Sequence, residues 1–208
     1  MIALIDYGAG NLTSVKKALA AVGADVFVPS RAADLESASG VIVPGVGHFG
    51  ATGILDRSWM DAIRAHVDRA RPLLGICLGM QWLFEGSDEA PAVAGLGMLP
   101  GRCYKLGARS PTAGHQASFK VPHVGWNSLD LRRGDSGIAA GVCSGAQVYF
   151  THSYVAPTGD ATVATTDHGE PFAAIVERGA IAGVQFHPEK SGDVGLRILR
   201  NFLRRTRD

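Results

Sequence analysis

The sequence predicts an α/β fold: a mixed, mainly parallel sheet flanked by helices, with antiparallel additions in its second half. Three observations predict it. Up to residue 84, short apolar runs alternate with segments of helical periodicity, the pattern of a parallel sheet wrapped by helices. Beyond residue 100, strand-like runs follow one another across turns, as antiparallel strands do. No internal repeat and no interdomain linker interrupts residues 1–208, so one domain is expected.

Ile2–Asp6 is a short apolar strand ending in the Gly-rich turn YGAGN. Asn11 can cap a helix carrying Leu12, Val15, Leu19 and Val22 at helical spacing, and Gly23 suits its end. Asp25–Val28 and Gly40–Val43 read as strands. Asp61–Ala70 reads as a helix halted before Pro72. Leu73–Ile76 is a fourth strand, and Leu78–Phe84 opens a helix. Then come the strand-like runs Arg102–Leu106, Val121–Val124, Gln147–Tyr154, Thr162–Thr165, Phe172–Glu177 and Ile181–Phe186. Ala108–Ser118 is polar, bears glycine and proline, and reads as a loop insertion. Val194–Arg205 places Leu196, Leu199, Phe202 and Leu203 on one helical face, with Arg197, Arg200, Arg204 and Arg205 on a solvated one.

Composition excludes several function classes. With 46% hydrophobic and 19% charged residues, the chain can bury a full core and is neither disordered nor membrane-embedded. A net charge of +1 with interleaved signs points to no nucleic acid and no membrane. No signal-peptide pattern opens the chain, and no apolar run approaches the roughly 20 residues of a spanning helix. Cys77, Cys103 and Cys143 are odd in number and scattered, which argues against a disulfide framework and against zinc. The expectation is a cytoplasmic protein with neither metal nor cofactor.

Gly75-Ile76-Cys77-Leu78-Gly79 has the spacing G-x-C-x-G, the thiol counterpart of the nucleophile elbow. A sharp strand-to-helix turn lifts the central side chain clear of the sheet, and the crowded flanks tolerate little beyond glycine. The following helix directs its N-terminal N–H groups at the sulfur, favouring thiolate. The Leu78 N–H lies where an oxyanion would develop. The pentapeptide alone leaves a second reading open, a buried cysteine at a glycine turn.

His187-Pro188-Glu189 supplies what the elbow lacks. His187 ends an apolar strand, and Pro188 biases it toward extended geometry. Residues i and i+2 of an extended segment point the same way, so Glu189 can hold one imidazole nitrogen and leave the other for a thiol. A Cys77-His187-Glu189 triad is the reading. Gln81 lies one helical turn beyond Cys77 and shares its face.

GICLGMQ (75–81) together with QFHPEKS (185–191) resembles the class I, triad-type glutamine amidotransferases. IDYGAGN (5–11), VPGVGHFG (43–50), PHVGWN (122–127) and YFTHSY (149–154) are similar, more narrowly, to the glutaminase subunits of imidazole glycerol phosphate synthase in histidine biosynthesis. The resemblance runs nearly end to end. It implies attack by Cys77 on the side-chain amide of glutamine, with His187 as acid and base and Glu189 orienting it. It implies Leu78 and Val46 N–H as oxyanion donors; glycines on both sides of Val46 leave that peptide freer to rotate than a regular strand would, so the hole is expected to be assembled only in the active complex. It implies Gly47, Gln81 and the His152-Ser153-Tyr154 backbone as the glutamine cradle. Ammonia would pass to a (β/α)₈-barrel cyclase subunit that makes imidazole glycerol phosphate and AICAR, faced by Asn11, Trp126, Tyr149 and Lys190. Each of these four also has a plain reading: a helix cap, two strand aromatics and an exposed charge. His48, where relatives carry a small residue, reads as an exposed loop histidine, and Cys103 and Cys143 as structural. The rivals are a glutaminase serving another synthase, a stand-alone γ-glutamyl thiol hydrolase, and a non-catalytic protein of this fold.

Overall fold

A computed structural model describes residues 1–108 and 119–207. The strands are β1 (Ile2–Leu4), β2 (Val26–Phe27), β3 (Gly40–Val43), β4 (Leu73–Ile76), β5 (Gly86–Ser87), β6 (Arg102–Lys105), β7 (His123–Ser128), β8 (Asp130–Leu131), β9 (Gln147–His152), β10 (Tyr154–Val155), β11 (Thr162–Asp167), β12 (Pro171–Arg178) and β13 (Ile181–Val184). The α-helices are α1 (Leu12–Ala21), α2 (Arg57–Asp68), α3 (Leu78–Trp82) and α4 (Gly192–Arg205).

The main sheet has the order β2-β1-β3-β4-β13-β12-β11-β8. Its first five strands are mutually parallel, and β12, β11 and β8 extend it antiparallel. The predicted fold class is therefore the one observed. The parallel strands read as continuous apolar runs because both of their faces are covered. Alternation then sorts the side chains. Ile2, Leu4, Ile42, Leu74 and Ile76 meet Val15, Leu19, Ile198, Leu199 and Phe202 of α1 and α4. Ala3, Ile5, Val41, Val43 and Leu73 meet Ile63 of α2 and the α3 side chains on the other face.

Local signals set the helix ends. The Asn11 side chain accepts from Ser14 N at 3.2 Å, and Gly23 takes the left-handed conformation that ends α1. Helix α2 starts earlier than its apolar periodicity predicts, because Asp56 accepts from both Ser58 N and Trp59 N. The run Val121–Val124 is corrected: Pro122 has no N–H to pair, and β7 begins at His123. The run Gln147–Tyr154 is two strands: β9 pairs with β7, and β10 pairs with β6 in another sheet. The C-terminal arginine face is not wholly solvated, since Arg205 pairs with Glu177 at 2.8 Å. Of the predicted loop Ala108–Ser118, only Ala108 lies among the described residues. No helix is long and apolar enough to cross a membrane among the described residues.

Two register facts position the site. Strand β13 lies parallel beside β4 with Val184 opposite Ile76. The residues that leave the two strand ends, Cys77 and Gln185, therefore emerge side by side, and Cys77 N donates to Val184 O at 2.8 Å.

Candidate active site

Cys77 stands at φ 53°, ψ −108°, a left-handed conformation that non-glycine residues rarely adopt. Such strain persists only where its surroundings enforce it. Both flanking glycines are enforced by space. A Cβ on Gly79 would lie 1.8 Å from Val43 O, and one on Gly75 would lie 2.6 Å from Gly79 O. The predicted elbow is thus present, with both glycines required by close backbone approach.

His187 and Glu189 meet with Nδ1 to Oε1 at 2.8 Å, each side chain 2% exposed. The route differs from the predicted one. His187 is extended, but Pro188–Lys190 forms a 3₁₀ turn, so Glu189 reaches back from a turn rather than along a strand. Nε2 of His187 is buried with no hydrogen-bond partner among the described residues. Burial lowers the pKa of this imidazole, but the nearby Cys77 and the hydrogen bond and charge of Glu189 outweigh it and raise it to about 10. A proton on His187 and negative charge on Cys77 therefore favour each other.

A cavity of about 210 Å³ opens on the sulfur, lined by Gly47, Cys77, Leu78, Gln81, Glu89, Pro122, Thr151, His152, Ser153 and Tyr154. Five dispersed segments converge there, and every residue predicted for the glutamine cradle is among them. Gln81 is buried, and its amide nitrogen donates to Tyr154 O at 2.8 Å and to Gln185 Oε1 at 3.1 Å. Glu89, which sequence reading missed, brings a carboxylate to the cavity wall and accepts from Phe49 N at 2.7 Å. Nothing in its local sequence marks it, since the chain folds it back from a turn.

The predicted oxyanion donors are engaged elsewhere. Val46 N donates to Ala9 O at 3.2 Å, and Leu78 N donates to Gly45 O at 3.4 Å. Gly45 itself is tightly confined, because a Cβ there would lie 2.1 Å from the Tyr7 hydroxyl. That hydroxyl is buried with no hydrogen-bond partner among the described residues, and burial, with the charge of Cys77 adding, pushes its pKa well above its ordinary value.

Behind the cavity wall, a polar chain fixes two neutral histidines. Tyr154 O can only accept, so His152 donates to it through Nδ1 (3.2 Å). His152 Nε2 then accepts from His123 Nδ1 (3.1 Å), and His123 Nε2 accepts from Asn127 (3.3 Å). Desolvation holds His123 down to about 4, and desolvation together with His123 holds His152 down to about 3.

The four residues expected at a partner face divide. Trp126 is 57% exposed and contacts Tyr149 edge-on at 6.1 Å, while Lys190 lies over the Tyr149 ring at 5.6 Å. These three form one surface cluster. Asn11 is occupied as the α1 cap. His48 is exposed, but it also caps a 3₁₀ turn, accepting from Gly50 N. Cys103 is buried with its Sγ on Gln81 O at 3.7 Å, whereas Cys143 is exposed and so departs from the structural reading. Among the described residues no group of three or more His, Cys, Asp or Glu side chains could hold a metal ion.

The chain matches the family described as glutamine amidotransferase class-I over residues 3–206. It is 46% identical over 206 residues to "Imidazole glycerol phosphate synthase subunit HisH" of Halalkalibacterium halodurans, covering 97% of this chain and 94% of that one. It is 46% identical over 212 residues to the protein of the same name from Deinococcus radiodurans, covering 98% and 93%. Among solved structures, "Crystal structure of glutamine amidotransferase" superimposes over 100% of both chains with a TM-score of 0.74 and 22% identity. "Structure of PurLQS from Thermotoga maritima" gives 0.71 over 98% of this chain and 97% of that one, at 18% identity. At such identities these two structures speak to the fold alone.

Proposed function

The chain belongs to the class I glutamine amidotransferases, and we propose that Cys77, His187 and Glu189 are the triad with which it hydrolyses glutamine for histidine biosynthesis, as a subunit of imidazole glycerol phosphate synthase. The observation that carries the triad is a strained cysteine on the cavity wall beside a buried imidazole held by a carboxylate. We assign residues 1–208 to one amidotransferase unit.

The chemistry follows from that arrangement. Cys77 gives its proton to Nε2 of His187 and attacks the side-chain carbon of glutamine. An S–C bond forms and the carbonyl electrons move to oxygen. His187 then protonates the leaving nitrogen, the C–N bond breaks, and ammonia departs. Water, deprotonated by His187, attacks the thioester; the S–C bond breaks and the electron pair returns to sulfur. Glu189 keeps Nδ1 protonated and oriented throughout. The Glu89 carboxylate suits the α-ammonium of glutamine, and Gly47, Gln81 and the His152-Ser153-Tyr154 backbone shape the rest of the cradle.

Oxyanion stabilisation is withheld at rest in this reading. Freeing Leu78 N–H requires the Gly45 carbonyl to move, and freeing Val46 N–H requires release from Ala9 O. Ala9 lies in the YGAGN turn that ends at Asn11, a residue assigned to the partner face. Docking of a (β/α)₈-barrel cyclase subunit over Asn11, Trp126, Tyr149 and Lys190 would thus act on the oxyanion strand through one hydrogen bond. A stand-alone γ-glutamyl hydrolase would have no use for donors engaged in this way. The test is the glutaminase rate of the chain alone, with the barrel subunit, and with that subunit plus its nucleotide substrate. A rise of about 10²–10³-fold in the complex is expected from one restored donor. An equally fast free chain would refute the assembled-hole reading.

A further inference from the structure

Gln185 has no part in the mechanism above, yet it touches the reacting atom. Its side-chain nitrogen lies 3.6 Å from Cys77 Sγ, and the residue is fully buried. Which end of an amide faces the sulfur is settled here by a chain of hydrogen bonds. Tyr154 O is a backbone carbonyl and can only accept. Gln81 must therefore turn its NH₂ toward it, and the same NH₂ reaches Gln185 Oε1. With its oxygen held by Gln81, Gln185 is left with its NH₂ on the sulfur. A flipped Gln185 would set two NH₂ groups against each other and an oxygen against the sulfur, at a residue fully buried from solvent.

We propose that Gln185 is a further catalytic residue: its amide N–H donates to Cys77 Sγ, stabilises the thiolate before attack, and receives the sulfur electron pair again when the thioester breaks. Gln185 loses no proton. The thiol proton goes to His187, and the bond from Gln185 strengthens as charge gathers on sulfur and weakens while sulfur is bound to carbon. Gln81 thereby acquires a second duty: besides lining the cavity, it orients the donor.

This inference rests on the assignment of Cys77 as nucleophile, and its test avoids glutamine so that the two can fail separately. The reagent is iodoacetamide, which can enter the cavity lined by Cys77; modification is followed at the Cys77 peptide by mass spectrometry across pH, because the exposed Cys143 will react too. In Gln185→Met, which keeps length and loses the donor, the thiolate titration of Cys77 should move to higher pH. Alkylation on the acidic limb should be about tenfold slower, with the two rates converging at high pH. Gln185→Glu, which puts a carboxylate oxygen on sulfur, should shift it further. Gln81→Leu leaves Gln185 in place but unoriented and should shift it in the same direction by less; it also carries the test if Gln185→Met does not fold. An unshifted alkylation profile in folded Gln185→Met, or in folded Gln81→Leu, overturns the inference. A shifted profile upholds it even in a chain that hydrolyses no glutamine, in which case only the functional assignment fails.

Discussion

His187 and His152 are both almost completely buried, they belong to neighbouring segments, and their pKa values are shifted in opposite directions. His187 is raised to about 10, whereas His152 is lowered to about 3. Burial pushes both down. What separates them is the company each keeps. His187 has a carboxylate 2.8 Å from one nitrogen and the thiol of Cys77 near the other. His152 has a carbonyl on one side and a second neutral imidazole on the other, with Phe150 and Phe172 packed around it. Desolvation sets the cost of charge, and a paired counter-charge decides whether the cost is met. The first environment is built to move a proton and the second to hold a wall still.

Removing the thiol is the sharpest way to break the contrast. Cys77→Ala should abolish glutamine hydrolysis in the complex, and the His187 titration followed by NMR should fall from its raised position. Next in size is Glu189→Gln, which removes the counter-charge and the tautomer lock. It should cost about 10³–10⁴-fold in kcat with little change in KM. An unchanged kcat would mean that Glu189 is only a structural neighbour.

Stability against pH separates the two environments directly. His187 is raised from its ordinary 6.5, so its contribution is complete below that pH and is lost as pH rises toward 10. His123 and His152 are lowered, so they are neutral when folded, and stability is lost as pH falls from 6.5 toward 4 and 3. The loss is at most about 1.4 kcal/mol per histidine for each pH unit. His123→Phe, which keeps the ring contacts with Phe150 and His168, should flatten the acid limb of the Tm profile and leave the alkaline limb alone. The smallest effect on folding is expected at the surface cluster. Tyr149→Ala and Lys190→Ala should leave Tm within a few degrees but uncouple glutamine hydrolysis from ammonia use, measured as ammonia lost to solvent per turnover. Undiminished transfer in both would remove these residues from the interface.

Much of the active side of this contrast was legible in the chain. The elbow announces itself because steric demand leaves so few choices at Gly75 and Gly79. His187 and Glu189 are close in sequence, so their pairing needs no knowledge of the fold. Gln185 was legible by the same period of two, one step back from His187, but a glutamine carries no charge to draw the eye. Glu89 and the His123-His152 pair were not legible, since their partners lie tens of residues away: Glu89 meets Phe49 across a fold-back of the chain, and only pairing of β7 with β9 brings the two histidines together.

By itself the sequence determined the parallel half of the sheet, the cysteine elbow, and the histidine-glutamate pair proposed as base and orienter. Those features rest on local sterics, on the period of side-chain exposure and on short-range hydrogen bonding. The tertiary structure alone decided that β13 lies beside β4 in the register that sets Gln185 against Cys77, that the Val46 and Leu78 N–H groups are engaged by backbone carbonyls, and that the pKa of one buried histidine is raised while that of another is lowered. Each of these depends on which distant groups share a low-dielectric space, and no local pattern in the chain specifies that.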